Sequence, residues 1–209
     1  MGNTAIYLII FVAILVACLL VFAGTLLTTK LNRLPLFSAT VLVLVIYLAL
    51  YLLQVRNWVV LSGLVLVAAV LVGACIGRTV SSETALVALC TAAAVADLVS
   101  FSFGLTHVIL SSYAGGRSRL LLYLTFFVPI RSHVVPLVGI GDFIILGAIF
   151  LGLRKLGYTL SEAFLAPVTG LMIAVMVGLL VNGIFALPFI AGSVIGYILI
   201  KRKMKRPSP

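Results

Sequence analysis

Residues 5–27 of the chain read AIYLIIFVAILVACLLVFAGTLL and contain no charged side chain. A helix of about 20 apolar residues crosses the hydrocarbon core of a bilayer, so this run can span a membrane on its own. Similar runs recur along the chain, because 64% of its 209 residues are hydrophobic and only 9% are charged. A soluble domain carries about 25% charged residues, and a transmembrane β-barrel would alternate polar and apolar residues. The sequence therefore predicts a helical membrane protein.

Charged residues, prolines and glycines divide the chain into seven predicted transmembrane helices. They cover residues 5–27, 36–53, 59–76, 84–106, 134–153, 163–180 and 186–200. A further apolar stretch, residues 120–130, is too short to span and is expected to lie in the interface or to re-enter. We expect an all-α, polytopic bundle of about seven spans. It would consist of a three-helix N-terminal scaffold (1–83), a membrane core (84–200) and a basic tail (201–209).

The charge balance is strongly basic, with 14 Lys and Arg residues, four acids and a net charge of +10. Much of this charge lies in the tail, directly after an apolar helix. That position is typical of a segment that meets anionic lipid and orients the protein, and it does not favour a nucleic-acid site. With seven spans, Arg56, Arg117, Arg119 and Arg131 fall on one side of the membrane and all the other basic residues on the side of the tail. The positive-inside rule then places the C-terminus in the cytoplasm.

Two of the four acids lie inside predicted spans, Asp97 in the fourth and Asp142 in the fifth. A carboxylate at membrane depth costs a few kcal/mol, so it normally faces a protein or water-filled interior and marks a functional site. The structural alternative is a protonated aspartate that hydrogen-bonds two helices together. The other acids, Glu83 and Glu162, stand at predicted helix ends, where a carboxylate favours a helix N-terminus and needs no further function.

The two aspartates are expected at the same depth. Asp97 precedes the predicted end of its helix by nine residues, and Asp142 follows the predicted start of its helix by eight. At about 1.5 Å per residue, both would lie about 12 to 14 Å below one surface. Adjacent carboxyl groups in a low dielectric share one proton. Aspartic proteases use such a pair for catalysis. The anion takes a proton from water, and the protonated partner polarises the scissile carbonyl.

Small residues and a proline stand close to these acids. Gly139 and Gly141 remove two side chains next to Asp142, which allows another helix, a water molecule or an extended substrate backbone to approach. Pro188, at the start of the last predicted span, removes a backbone donor, so nearby backbone groups must line a cavity or pack on protein. A lone proline at such a position is also an ordinary first-turn proline.

Three elements, in this order along the chain, resemble the motifs of the presenilin and signal peptide peptidase family of intramembrane aspartyl proteases. They are an aspartate in a helix, a Gly-x-Gly-Asp helix and an Ala-Leu-Pro segment that begins the last helix: Asp97; Gly139, Gly141 and Asp142; Ala186, Leu187 and Pro188. The resemblance covers about residues 84–200 and is closest to compact microbial members. Two residues depart from the usual motifs, since Ala96 replaces a Tyr and Phe185 a Pro. The family has five helices before the helix that carries the first aspartate, whereas this chain has room for three.

The resemblance implies an aspartic endopeptidase in which the two aspartates are catalytic. It implies that the Gly-x-Gly-Asp and Ala-Leu-Pro motifs line one cleft, where a substrate helix unwinds and pairs as an extended strand. The implied substrates are transmembrane helices or signal peptides, without a metal or cofactor. The resemblance also implies a multi-pass protein of a prokaryotic cell membrane. It does not indicate an oligomeric state.

Two other classes of protein use similar residues. Prepilin and preflagellin peptidases combine Gly-x-Gly-Asp with a second membrane aspartate, but a basic, Pro-containing segment typically follows their first acid. Asp97 is followed by Leu-Val-Ser-Phe. A proton-coupled transporter could use the two acids as a relay, and it would be expected to show repeated halves with broken helices. Neither pattern is visible in the sequence, and both classes stay open as alternatives.

Overall fold

The computed structural model describes residues 3–55, 57–103, 121–130, 133–181 and 186–205. Within them the chain is mostly helical. The long helices are α1 (Asn3–Thr28), α2 (Arg33–Leu52), α3 (Trp58–Thr79), α4 (Glu83–Phe103), α5 (Ile140–Lys155), α6 (Leu160–Val181) and α7 (Leu187–Lys205). A single helical turn, Leu121–Leu124, leads into strand β1 (Thr125–Ile130), which pairs antiparallel with β2 (His133–Gly139). The helical bundle that the sequence predicts is confirmed, whereas the hairpin is an element that the sequence analysis does not predict.

Five of the described helices, α1 to α4 and α6, are long and apolar enough to cross a membrane. The outer faces of these helices carry large apolar side chains, such as Leu34, Leu42 and Leu48 of α2. Lipid, and not water, is the solvent that such faces suit. Helix α5 has only 16 residues, and α7 runs into the basic tail. The membrane class of the protein is confirmed, whereas the count of seven spans stays a prediction.

The predicted fifth helix, residues 134–153, is wrong at its N-terminal end. His133–Gly139 forms β2, and α5 begins only at Ile140. Val134 and Val135 are β-branched and favour a strand. Pro136 lacks a backbone N–H and disfavours a helical conformation in the residue before it. Within the stretch 120–130, which is expected in the interface or as a re-entrant segment, residues 121–130 form the helical turn and β1. Leu120 lies outside the described residues.

The hairpin is attached to α3 and α5. Phe127 of β1 is buried, and its backbone N–H donates to the Ser62 hydroxyl oxygen at 3.2 Å. Phe126 meets Phe143 of α5 edge to face, with ring centroids 5.7 Å apart. Because both contacts lie close to the junction of β2 and α5, they fix the position at which the Gly-x-Gly-Asp sequence begins.

The hydrophobic core is formed by α1 and by α3 to α7. Helix α5 is its centre, and Phe143, Leu146 and Phe150 are completely buried. The same continuous core includes Ile14 of α1 and Leu171 of α6. It therefore contains residues from both sides of the proposed division at 83 and 84, which stays a prediction as a domain boundary.

Helices α3 and α5 pack closely because a glycine of each helix lies at their contact. A Cβ atom added to Gly73 would lie 2.7 Å from the backbone oxygen of Ile144, and one added to Gly147 would lie 3.2 Å from that of Ala69. Backbone atoms cannot move aside as a side chain can. The separation of the two helices therefore depends on the absence of side chains at these positions.

Gly73→Ala should lower the stability of the protein by about 1 to 3 kcal/mol, because the added methyl group forces α3 and α5 apart. Gly63→Ala is the matched control on the same helix, since a Cβ there would meet nothing within 4 Å. Thermal unfolding of the purified variants in one detergent measures the difference. Equal melting temperatures for the two variants would contradict the close packing of α3 on α5.

Both glutamates form ion pairs with the start of the basic tail. Lys201 Nζ lies 2.6 Å from Glu162 Oε1, and Arg202 Nε lies 2.6 Å from Glu83 Oε2. Glu162 Oε2 also accepts from the Thr159 backbone N–H at 2.7 Å, which is the helix-end role predicted from the sequence. The first two residues of the tail thus join the end of α7 to the starts of α4 and α6.

Candidate active site

Asp97 lies on α4 and contacts the start of α7. Its Oδ2 accepts a hydrogen bond from the backbone N–H of Leu187 at 3.1 Å. Leu187 is the first residue of α7, and the first N–H groups of a helix have no partner within the helix. The carboxylate therefore satisfies a free donor. The contact also joins the first predicted aspartate to the Ala186-Leu187-Pro188 segment.

Asp142 lies in the first turn of α5, directly after the end of β2. Its Oδ2 accepts from the backbone N–H of Gly139 at 3.1 Å. Gly139 is the N-cap residue of α5, and an acidic side chain in the first turn that reaches back to the N-cap is a common way to begin a helix. The local fold thus holds this carboxylate at the junction of a strand and a helix.

The two aspartates lie within electrostatic reach of each other, and both side chains are partly buried. The chain leads to Asp142 through a strand, and not through the helix that the sequence predicts. Residues 134–139 are extended and rise about 3.3 Å each, and not the 1.5 Å of a helix. The argument from equal helical depth is therefore wrong for Asp142. The hairpin, together with the packing of α4 on α5 and α7, brings the two groups near each other.

The two glycines of the Gly-x-Gly-Asp motif have different surroundings. A Cβ atom at Gly139 would lie 3.3 Å from Asp142 Oδ2, so a side chain there would press on the carboxylate. A Cβ atom at Gly141 would meet nothing within 4 Å, and Gly141 is exposed. No described part of the chain fills this space, so the approach of another helix of the protein is not seen there. As far as the described residues are concerned, this space can take water or an extended peptide.

Pro188 is the second residue of α7 and lies in its first turn. The missing N–H of a proline costs no helical hydrogen bond at this position. Ala186 is partly buried, and its backbone oxygen accepts from the N–H groups of Phe189 and Ile190, each at 3.1 Å. The ordinary first-turn proline is thus what the structure contains. Phe185 lies outside the described residues.

A metal site would need several ligating side chains close together. In the part of the chain that the structure describes, no group of three or more His, Cys, Asp or Glu side chains is close enough to hold a metal ion. The described cysteines are free, and Cys18 and Cys90 are buried in the core. The described part of the site brings together the two carboxyl groups and their two backbone donors.

Comparison with known proteins finds no matching family model, and no curated protein or solved structure matches the chain at a significant level. The resemblance to presenilins and signal peptide peptidases therefore rests on the three short motifs alone. The function has to be argued from the residues and their geometry.

Proposed function

We propose that this protein is an intramembrane aspartyl protease, in which Asp97 and Asp142 activate water to hydrolyse a peptide bond of a transmembrane substrate. The contact between Asp97 and the Leu187 N–H, at 3.1 Å, is the observation that carries the proposal. It joins two of the three motifs directly. The third motif supplies Asp142, which lies within electrostatic reach of Asp97.

The mechanism uses one carboxylate as an anion and the other in its protonated form. The anion accepts a proton from water as the water oxygen attacks the carbonyl carbon, while the protonated partner donates a hydrogen bond to the carbonyl oxygen. The tetrahedral intermediate then breaks its C–N bond as a proton moves to the leaving nitrogen. Each aspartate accepts one backbone N–H through Oδ2, and a carboxylate has further lone pairs free for water and substrate.

Strand β2 offers a support for an extended substrate. It ends at Gly139, beside Asp142, and within the described residues only β1 is paired with it. An unpaired strand edge presents N–H and C=O groups to which an extended peptide can add. Gly141, where an added Cβ atom would meet nothing within 4 Å, follows the end of β2 by two residues. These features support the strand-like substrate that the family resemblance implies.

A structural role for the two acids is the second candidate, and the same contacts favour it. Asp97 satisfies a free N–H at the start of α7, and Asp142 satisfies one at the start of α5. Capping of this kind contributes about 0.5 to 2 kcal/mol per site. Stability alone would then account for both residues. Asparagine separates the two roles, because it caps a helix about as well as aspartate but cannot transfer protons.

The test of the proposed function is cleavage of a single-span reporter in sealed vesicles, with and without a proton gradient. Wild-type protein should cut the reporter equally in both conditions, since peptide hydrolysis does not consume a gradient. Vesicles that contain Asp142→Asn protein are the control for contaminating proteases. Gradient-driven uptake without cleavage would favour a transporter, and a lack of cleavage in both conditions would contradict the proposal.

We also propose that the protein is multi-pass, with the basic tail in the cytoplasm and near anionic lipid. By the family resemblance, this orientation is that of the signal peptide peptidases, so the substrates would have their N-termini inside. Ser208→Cys protein should resist an impermeant thiol reagent in intact cells and react after lysis. Wild-type protein controls for the native cysteines. Labelling of intact cells above the wild-type level would place the tail outside and reverse the substrate orientation.

A further inference from the structure

A groove of about 420 Å³ lies between α6 and α7. Its floor on α7 contains Gly192 and Gly196, one helical turn apart, and a Cβ atom on either would meet nothing within 4 Å. Leu165 and Thr169 form its wall on α6. Neither aspartate lines this groove, so it is separate from the candidate active site.

One end of the groove is charged. Glu162 lines it there and is paired with Lys201 at 2.6 Å. Lys201 Nζ also lies 4.3 Å from the centre of the Tyr158 ring, so two groups of the protein already engage this lysine. Lys203 lies seven residues after Gly196, and therefore on the same face of α7. It is exposed, and among the described residues it has no ion-pair partner, so the charge beyond this end of the groove is positive.

The length of the groove fits one leaflet of a bilayer. From Gly192 to Ile200, α7 rises about 12 Å, and half of the hydrocarbon core of a membrane is about 15 Å thick. Two large side chains of the groove are open to its surroundings, since Leu165 is 57% exposed and Ile200 is 61% exposed. The groove is therefore mostly apolar along the depth of a leaflet, and the exposed Lys203 lies beyond its charged end, where a headgroup would lie.

We propose that this groove binds an anionic phospholipid, with one acyl chain over Gly192 and Gly196 and the phosphate near Lys203. The glycines make room for the acyl chain, and the Lys203 ammonium group meets the phosphate with opposite charge. The site would also join α6 to α7, the helix whose first N–H contacts Asp97. This proposal does not depend on protease activity.

Charge complementarity favours a lipid over a second transmembrane helix. Two glycines one turn apart on a helix are also a common surface for helix pairing. A helix docked along this groove would leave Lys203 without an anionic partner, whereas a phospholipid places its phosphate there. The acyl chain of a phospholipid thus accounts for the apolar part of the groove, and its phosphate accounts for the basic residue beyond the end of the groove.

Native mass spectrometry of the full-length protein in detergent tests the site, with phosphatidylglycerol and phosphatidylcholine as probes. Wild-type protein should retain phosphatidylglycerol in preference to phosphatidylcholine. Gly196→Leu should reduce the retained phosphatidylglycerol about tenfold, because its side chain occupies the place of several methylene groups. Lys203→Gln should reduce the preference for the anionic lipid about fivefold.

Two variants are matched controls. Gly63→Leu adds the same side chain at a glycine whose Cβ also meets nothing within 4 Å, and Lys30→Gln removes an exposed lysine that lies between α1 and α2 and not on α7. Both should retain phosphatidylglycerol as wild-type protein does. Equal retention of the two lipids by wild type, or unchanged retention by folded Gly196→Leu protein, would overturn the proposal. So would a change from dimer to monomer in Gly196→Leu without loss of lipid, since the groove would then be a helix-pairing surface.

Discussion

Asp97→Asn and Asp142→Asn should each abolish cleavage of a transmembrane reporter while leaving the melting temperature close to that of wild type. An asparagine oxygen can still accept a hydrogen bond from the backbone N–H of Leu187 or Gly139. The N–H groups at the starts of α7 and α5 therefore keep an acceptor. The amide cannot carry out the proton transfers, which are worth about 10²- to 10⁴-fold in rate for each positioned group. In the proposed mechanism the two acids act as one unit, so either change alone should remove nearly all activity.

The alanine variants complete this comparison. Asp97→Ala and Asp142→Ala should be inactive and also less stable, by about 0.5 to 2 kcal/mol, because a helix-start donor loses its acceptor. Glu162→Gln is the matched control for loss of a carboxyl group. Glu162 is paired with Lys201 on a partly exposed surface, where an ion pair contributes little, so this variant should keep its cleavage activity. Asn variants that cleave at the wild-type rate would leave the acids with the capping role alone.

Gly141→Leu is the second variant with a large expected effect. A Cβ atom at this position meets nothing within 4 Å, so a leucine should fold without strain and extend into the space beside Asp142. If the substrate backbone uses that space, cleavage should fall by at least about 10²-fold, the size of effect that a small misplacement of reacting groups can produce. Gly141→Ala should lose less activity, because its side chain is shorter.

Reporter cleavage and thermal unfolding should be measured together on the Gly141 variants. Gly63→Leu serves as the control for the addition of a leucine at another open glycine. Full turnover by Gly141→Leu would show that no substrate passes this position. A large loss of stability would show instead that the space is filled in the folded protein, which would also contradict the open site.

Most helices of this protein can be predicted from its sequence. The predicted spans 36–53 and 186–200 correspond to α2 (Arg33–Leu52) and α7 (Leu187–Lys205). These predictions succeed because the bilayer sets the length of an apolar run, and because charges and prolines mark its ends. Helix α7 continues past the apolar run into the tail, since Lys and Arg are good helix formers and suit a helix C-terminus.

The hairpin could not be recognised from hydropathy. Buried strands and buried helices are equally apolar, so a continuous apolar run does not distinguish between them. The available signal is local. Two β-branched residues, Val134 and Val135, directly precede Pro136. The aromatic and β-branched run at 126–128 favours a strand in the same way. Weighting these residues over mean hydropathy would have indicated strands here.

The residues of the candidate site could be named from the sequence, but their contacts could not. The hydrogen bond from Leu187 to Asp97 joins residues 90 positions apart. It depends on where α7 begins and on how α4 packs against it, and neither follows from a motif. The ion pairs of Glu83 and Glu162 with the basic end of α7 are long-range in the same way, so the sequence indicated only helix ends for these two acids.

The most direct test of the central claim is hydrolysis by the purified full-length protein in detergent, with a synthetic transmembrane peptide in ¹⁸O-labelled water and no gradient. Mass spectrometry should find two fragments cut within the apolar segment, with one ¹⁸O atom in the new carboxyl group of the N-terminal fragment. Neither Asp97→Asn nor Asp142→Asn protein should yield them. No fragments from the wild type, or the same fragments from either Asn variant, would contradict the assignment of Asp97 and Asp142 as a catalytic pair.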